Sequence, residues 1–311
     1  MPDGALTLLL SPIGLALIGL CIGSFLNVVV HRLPIMLERN WRAESAELLG
    51  LDAAASTDAA ASASAPAGAP ARAGSDAAAA SEQANLSLWS PGSRCPQCGH
   101  VLRWYENIPL LSWLVLRARC SACKTPISAR YPLVEAGCAV LFAAIGVRVG
   151  AQPAALLWCG FAAALLVLAL IDWDTTLLPD NINQPLLWAG LIAAALGWTP
   201  LPLSAALWGA VAGYLSLFLV TWFYKLATGK VGMGNGDFKL LAALGAWLGA
   251  TMILPIVLGA SVLGAIIGIA MKISGNLREG RYVPFGPFLA GAGLVCLMAG
   301  QDRVMGWLGW Y

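Results

Sequence analysis

The chain has 311 residues, of which 59% are hydrophobic and only 11% charged, against about 25% charged in an ordinary soluble domain. That leaves more apolar surface than one water-soluble core can hide, which excludes a simple soluble globule. The net charge of +2 carries no nucleic-acid footprint.

Long apolar runs separated by short polar breaks predict an all-α integral membrane protein of about eight transmembrane helices. The expected spans are 6–30, 132–149, 154–171, 185–198, 204–224, 238–250, 252–271 and 287–308. Trp173, Trp198, Trp222, Tyr224, Trp307 and Trp310 fall near their ends, where amphipathic rings favour the headgroup layer. The first span is expected to stay on the chain: only Asp3 precedes it, and its apolar stretch is longer than that of a cleaved signal peptide. The basic residues follow it, at His31, Arg32, Arg39 and Arg42. That order predicts an external N-terminus and a cytoplasmic segment over 31–131. Of the 18 Lys and Arg residues, all but Arg148 and Arg303 then fall on the cytoplasmic side. The remaining membrane domain is expected over 132–308.

Within the cytoplasmic segment, residues 51–84 are mostly Ala, Ser, Gly and Pro, with no aromatics. Such a stretch cannot bury enough apolar surface to offset its ordering entropy and is expected to be a disordered insertion without chemistry. Cys95 and Cys98, then Cys120 and Cys123, form two C-x2-C knuckles separated by 21 residues. Each knuckle aims two thiolates at one point, and the pair completes a tetrahedral four-sulfur shell suited to a structural Zn²⁺ in a small domain. Disulfides and a redox dithiol are the other readings of four cysteines. The cytoplasmic placement disfavours disulfides. Cys21, Cys138, Cys159 and Cys296 stand alone in apolar runs and read as small buried hydrophobes.

A carboxylate at membrane depth is costly and is a functional candidate by default. The membrane half offers Asp3, Glu135, Asp172, Asp174, Asp180, Asp237, Glu279 and Asp302. Two stretches are prominent: "LIDWDTTLLPD" at 170–180 and "GMGNGDFKL" at 232–240. Both belong at the same membrane face under the expected topology. Two carboxylates brought close share a proton, the division of labour of an aspartic protease. Gly232, Gly234 and Gly236 would permit close backbone approach and positive φ beside Asp237. The same residues admit simpler roles. Asp237 and Asp180 are good helix caps, and Asp172 and Asp174 can be interfacial charges. Gly264 and Gly268 form a small-xxx-small pair that would allow close helix packing.

The chain resembles the type IV prepilin peptidases, integral-membrane aspartyl peptidases. The resemblance rests on "GLCIGSFLNVVVHRLP" at 19–34, the two cysteine knuckles, "ENIPLLSWL" at 106–114 and "SARYPLVE" at 128–135. It continues through "IDWDTTLLPDNINQPLLWAGL" at 171–191, "GMGNGDFKLLAALGAWLG" at 232–249 and "PFGPFLAGAG" at 284–293. It covers nearly the whole chain apart from the Ala-rich insertion, and the motifs are in order. The resemblance implies Asp172 and Asp237 as the catalytic aspartates, with Asp174, Asp180, Gly234 and Gly236 in support. It implies cleavage of leader peptides from prepilins or pseudopilins at the cytoplasmic face of a bacterial inner membrane. It also implies N-methylation of the new terminus with S-adenosylmethionine, for which no Gly-rich cofactor fingerprint is visible. Cys95, Cys98, Cys120 and Cys123 belong to the cytoplasmic domain that accompanies the methylating members. A transporter would more often show inverted repeats and midplane charges. A methyltransferase without peptidase activity would not need both aspartates.

Overall fold

The computed structural model describes residues 4–50, 86–230, 232–274 and 283–310. The Ala-rich insertion lies outside the described residues. Among those residues the chain is helical, with isolated bridges Arg94–Val101 and Arg119–Pro126 as the extended pairings. The chain divides into two compact units, Met1–Leu26 with Arg130–Tyr311, and Asn27–Ala129.

The first helices are α1 (Gly4–Leu9) and α2 (Pro12–Leu48). Ser11 separates them: its Oγ accepts the Gly14 N–H at 3.2 Å and donates to the Leu8 carbonyl at 2.6 Å. Pro12 then opens α2, at a position where its missing N–H costs nothing. In the smaller unit follow a 3₁₀ turn (Trp104–Asn107) and the short α3 (Leu111–Val115). The larger unit holds α4 (Arg130–Val149), α5 (Ala154–Thr175), α6 (Asp180–Ala195) and α7 (Leu203–Thr228). It ends with α8 (Asn235–Leu248), α9 (Ile253–Ile273), α10 (Gly286–Ala299) and α11 (Gln301–Trp307).

Every expected span meets a helix. Among the described residues five helices are long and apolar enough to cross a membrane, α2, α4, α5, α7 and α9 with its preceding 3₁₀ turn, or six if the bent pair α10 and α11 is one span, so the expected eight is an approximate count. The span expected at 287–308 is instead a pair, α10 and α11, bent by 109°. The break is at Gly300, which has φ 85°. The spans expected at 185–198 and 238–250 are α6 and α8, of 16 and 14 residues. At a rise of about 1.5 Å per residue they extend roughly 24 and 21 Å, short of a hydrocarbon core of about 30 Å. Apolarity in α8 has another cause. Phe238 and every residue from Leu240 to Trp247 are buried, so the helix is apolar all round because protein surrounds it. The first span also differs: α2 runs on to Leu48 rather than ending near residue 30.

The bundle is tightest where α7 crosses α8. A Cβ on Gly209 would overlap the Gly245 carbonyl, one on Gly245 would overlap the Gly209 carbonyl, and one on Gly213 would overlap the carbonyl of Leu241. This small-xxx-small pair, 209 and 213, brings two backbones into contact. The pair singled out from the sequence does not. A Cβ on Gly264 would meet the Phe288 ring at 3.2 Å, and one on Gly268 would meet Val283 at 3.9 Å. Those are side-chain contacts. Trp158, Phe161 and Trp247 cluster at centroid distances of 4.8 to 5.9 Å. The Trp247 indole N–H donates to the Leu186 carbonyl at 2.8 Å, which satisfies the polar edge of a buried ring.

Candidate active site and cysteine cluster

Asp172 stands in the last turn of α5 and is only 5% exposed. Its helix stops at Thr176, whose left-handed backbone (φ 54°) returns an N–H to the Asp172 carbonyl at 2.8 Å. The chain then passes through the buried Leu178 to Pro179, which precedes α6. One carboxylate oxygen of Asp172, Oδ2, accepts the backbone N–H of Gly286 at 3.0 Å, from a residue 114 positions away. Gly286 opens α10. A Cβ there would lie 2.5 Å from Asp172 Oδ2 and 3.2 Å from Leu178 Cδ1, so only glycine allows this donor to reach this acceptor.

Asp237 comes from the first turn of α8 and is 8% exposed. A helix N-terminus favours a carboxylate. The capping role open to Asp237 from sequence is not what it does: the N-cap is Gly234, without a side-chain cap bond. Asp237 Oδ1 is buried with no hydrogen-bond partner among the described residues. Asp172 and Asp237 are thus two buried carboxylates brought in by different helices. None of Gly232, Gly234 and Gly236 has a positive φ, contrary to the expectation for this loop. Gly234 has φ −76° and ψ 149°, which any residue adopts. The close approach is at Gly236, where a Cβ would lie 2.7 Å from Leu178 Cβ. Leu178 is therefore wedged between the starts of α8 and α10, beside Asp172.

The other two aspartates are exposed and ion-paired. Arg130, the first residue of α4, grips Asp174 through both guanidinium nitrogens at 2.6 and 2.9 Å. Lys239 in the first turn of α8 holds Asp180 at 2.6 and 2.8 Å. Asp180 opens α6 without capping it. Exposed pairs of this kind contribute about 0–1 kcal/mol each. Their effect is to tie helix ends together around the buried carboxylates.

In the other unit, the two knuckles have the same hydrogen-bond pattern. Cys95 N donates to the His100 carbonyl and Gly99 N to the Cys95 carbonyl, both at 2.9 Å. Cys120 N donates to the Thr125 carbonyl at 2.9 Å and Lys124 N to the Cys120 carbonyl at 3.1 Å. The four sulfurs of Cys95, Cys98, Cys120 and Cys123 lie within 4.8 Å of one another, a cluster able to hold a metal ion. Glu106 clasps the two knuckles. Its carboxylate accepts the Arg103 backbone N–H at 2.8 Å and lies 3.1 Å from His100 Nε2, which is 3.2 Å from Ser121 Oγ. The Arg103 N–H, with Ser121 and His100, pushes the Glu106 carboxyl down to about 2. Of the lone cysteines, Cys138, Cys159 and Cys296 are buried as expected, whereas Cys21 is exposed.

Two family comparisons cover most of the chain. Residues 17–149 match the Bacterial Peptidase A24 N-terminal domain and residues 159–269 match the Type IV leader peptidase family. A prepilin leader peptidase/N-methyltransferase of Pseudomonas putida is 48% identical over 287 residues, 92% of this chain and 89% of that protein. The chain belongs to the type IV leader peptidase family. Proteins of the same name from Pseudomonas aeruginosa and Burkholderia pseudomallei are 47% and 45% identical, over 92% and 91% of this chain and 89% and 84% of theirs. No solved structure matches the chain. Against this family background, sequence reasoning passed over Gly286 and Glu106, both inside stretches that carry the family resemblance. Each acts through a contact, to a backbone N–H or from one, that residue type alone does not signal.

Proposed function

We propose that this protein is a multi-pass membrane aspartyl endopeptidase that removes the leader of type IV prepilins or pseudopilins and N-methylates the new terminus. The observation that carries the reading is the pair of buried carboxylates, Asp172 and Asp237, joined through Leu178, which lies against Gly286 beside the first and against Gly236 next to the second, in a member of a leader peptidase family. Asp174 and Asp180 support the pair by fixing helix ends. A methyltransferase lacking peptidase activity gives no reason for two carboxylates to be buried together, and the match to a leader peptidase family disfavours a transporter.

Two such carboxylates hold one proton between them. The ionised one takes a proton from water as the water oxygen bonds to the scissile carbonyl carbon. The neutral one hydrogen-bonds the carbonyl oxygen as charge develops there. Collapse of the adduct breaks the C–N bond, and the proton passes to the departing amine. The Lys and Arg distribution supports an external N-terminus and a cytoplasmic module over 31–131, in a bacterial inner membrane. The peptidase domain is 132–308. A precursor with a basic leader in the cytoplasm and an apolar helix in the bilayer then meets the dyad at its junction.

S-adenosylmethionine is the donor this reading requires; when bound it supplies an electrophilic methyl group. The described residues hold no strand–turn–helix cradle of the dinucleotide-binding kind, and no step of cleavage passes through the cofactor. The test is detergent-purified protein incubated with a prepilin and the cofactor, read by mass spectrometry. The expected products are a released leader and a mature chain carrying one added methyl group. Intact prepilin from well-folded enzyme overturns the peptidase assignment, and an unmethylated product overturns the transferase assignment alone.

We propose Zn²⁺ as the metal of the four-cysteine cluster. Zn–S bonds of about 2.3 Å put tetrahedral ligands about 3.8 Å apart, and Cys95 Sγ lies 3.7 Å from Cys123 Sγ. Four thiolates close the shell, so the metal stabilises its module and takes no part in hydrolysis. Elemental analysis is expected to give one zinc per chain, lost together with module stability in Cys120→Ser. Zinc-free protein with four freely alkylated thiols would refute this.

A further inference from the structure

Asn183 lies in the first turn of α6 and is 1% exposed. Neither its Nδ2 nor its Oδ1 has a hydrogen-bond partner among the described residues. Asp237 Oδ1 is the one further buried side-chain atom in that condition among them. A buried amide left unpaired is unfavourable, and an apolar side chain of the same shape would avoid the cost.

The helix register puts these atoms at one level. Helices α6 and α8 run side by side in the same direction: Asp180 pairs with Lys239 at their starts, and Leu186 O receives the Trp247 N–H. Further along, a Cβ on Gly190 would lie 2.7 Å from the Trp247 ring. Asn183, Leu186 and Gly190 are spaced i, i+3, i+7, so Asn183 is on the stripe of α6 that faces α8. Two turns back from the Gly190–Trp247 contact, α6 reaches Asn183 and α8 reaches Leu240, which stands three residues after Asp237 and so on the same side of α8.

We propose that Asn183 is a third polar member of the catalytic site and that it holds, with Asp237, the water consumed in hydrolysis. This rests on the dyad reading above. The water donates one hydrogen to Asn183 Oδ1 and the other to Asp237 Oδ1, which leaves a lone pair for the scissile carbonyl carbon. As the O–C bond forms, Asp237 takes its hydrogen as a proton. When the C–N bond breaks, that proton goes to the amine. A buried water commonly makes such bonds to otherwise unsatisfied polar groups.

The test is Asn183→Leu in the full-length, membrane-inserted enzyme, with Asn183→Thr alongside and Asp237→Asn as control. The Leu variant is expected to lose about 100-fold in kcat, the scale of removing one preorganised hydrogen-bonding group. Its KM and thermal midpoint are expected to hold, because an apolar filler removes an unpaired amide. The Thr variant, which keeps a hydroxyl, should recover roughly tenfold of the loss. Near-normal kcat in the Leu variant overturns the proposal. So does a loss of kcat that tracks a fall in thermal midpoint and is no smaller in the Thr variant. If the Leu variant fails to insert, a folded Thr variant with wild-type kcat overturns it, and one with reduced kcat at wild-type KM supports it. An active Asp237→Asn enzyme removes the dyad itself, whatever the Asn183 variants do.

Discussion

Asp172→Asn and Asp237→Asn are each expected to lower prepilin cleavage by about 1,000-fold or more while the protein still inserts and folds. Loss of a group that both takes and returns a proton has effects of this size or larger, and members of one catalytic unit are strongly non-additive. The double variant should therefore be little worse than either single one. Asparagine has nearly the shape of aspartate, and at position 172 its side-chain oxygen can still accept the Gly286 N–H now bound at 3.0 Å. Each substitution also removes a carboxylate from a buried site that already holds another, so thermal midpoints should stay level or rise. Activity and stability thus move apart, as expected where function is kept at the expense of stability. Turnover within tenfold of wild type in either variant takes that residue out of the dyad.

Gly286→Ala is expected to cost about 100-fold in kcat, although residue 286 has no side chain and no charge. Its new methyl group would stand 2.5 Å from Asp172 Oδ2, so the carboxylate must turn away and release the backbone N–H. A displacement of about 1 Å in a reacting group costs on this order. The internal comparison is Gly234→Ala, three residues before Asp237 in the "GMGNGDFKL" stretch. There the nearest atom to a new Cβ is Asp237 Oδ2 at 3.8 Å, an ordinary contact, and the loss should be at least tenfold smaller. Measuring kcat and KM for both variants decides it. Equal losses would show that Gly286 does not position Asp172.

Much of this organisation was legible in the chain. Apolar runs located the helices because an uninterrupted stretch of Leu, Ala, Val and Ile has few other stable homes. The cysteine spacing located the knuckles because short-range geometry brings the sulfurs of each together. Legibility failed where burial comes from neighbours. Nothing in 238–250 distinguishes a lipid-facing span from a short helix walled in by protein, since both are apolar. It failed again at Gly286, whose contribution is a backbone N–H and an absent Cβ aimed at a residue 114 positions away. Asn183 was passed over for a related reason: an asparagine near a helix start reads as turn chemistry until its burial is known.

The brevity of α8 bears on how a hydrolase obtains its second substrate. Hydrolysis inside a bilayer is starved of water, since hydrocarbon admits almost none. A helix of about 21 Å, walled in by α6, α7 and α10, cannot reach both surfaces of a layer about 30 Å thick. Its first turn therefore lies against protein rather than against acyl chains. Backbone at such depth is tolerated where protein or a wet cavity lines it. Asp237 sits in that first turn. A short helix walled in by protein thus keeps acyl chains away from the carboxylate that must meet water.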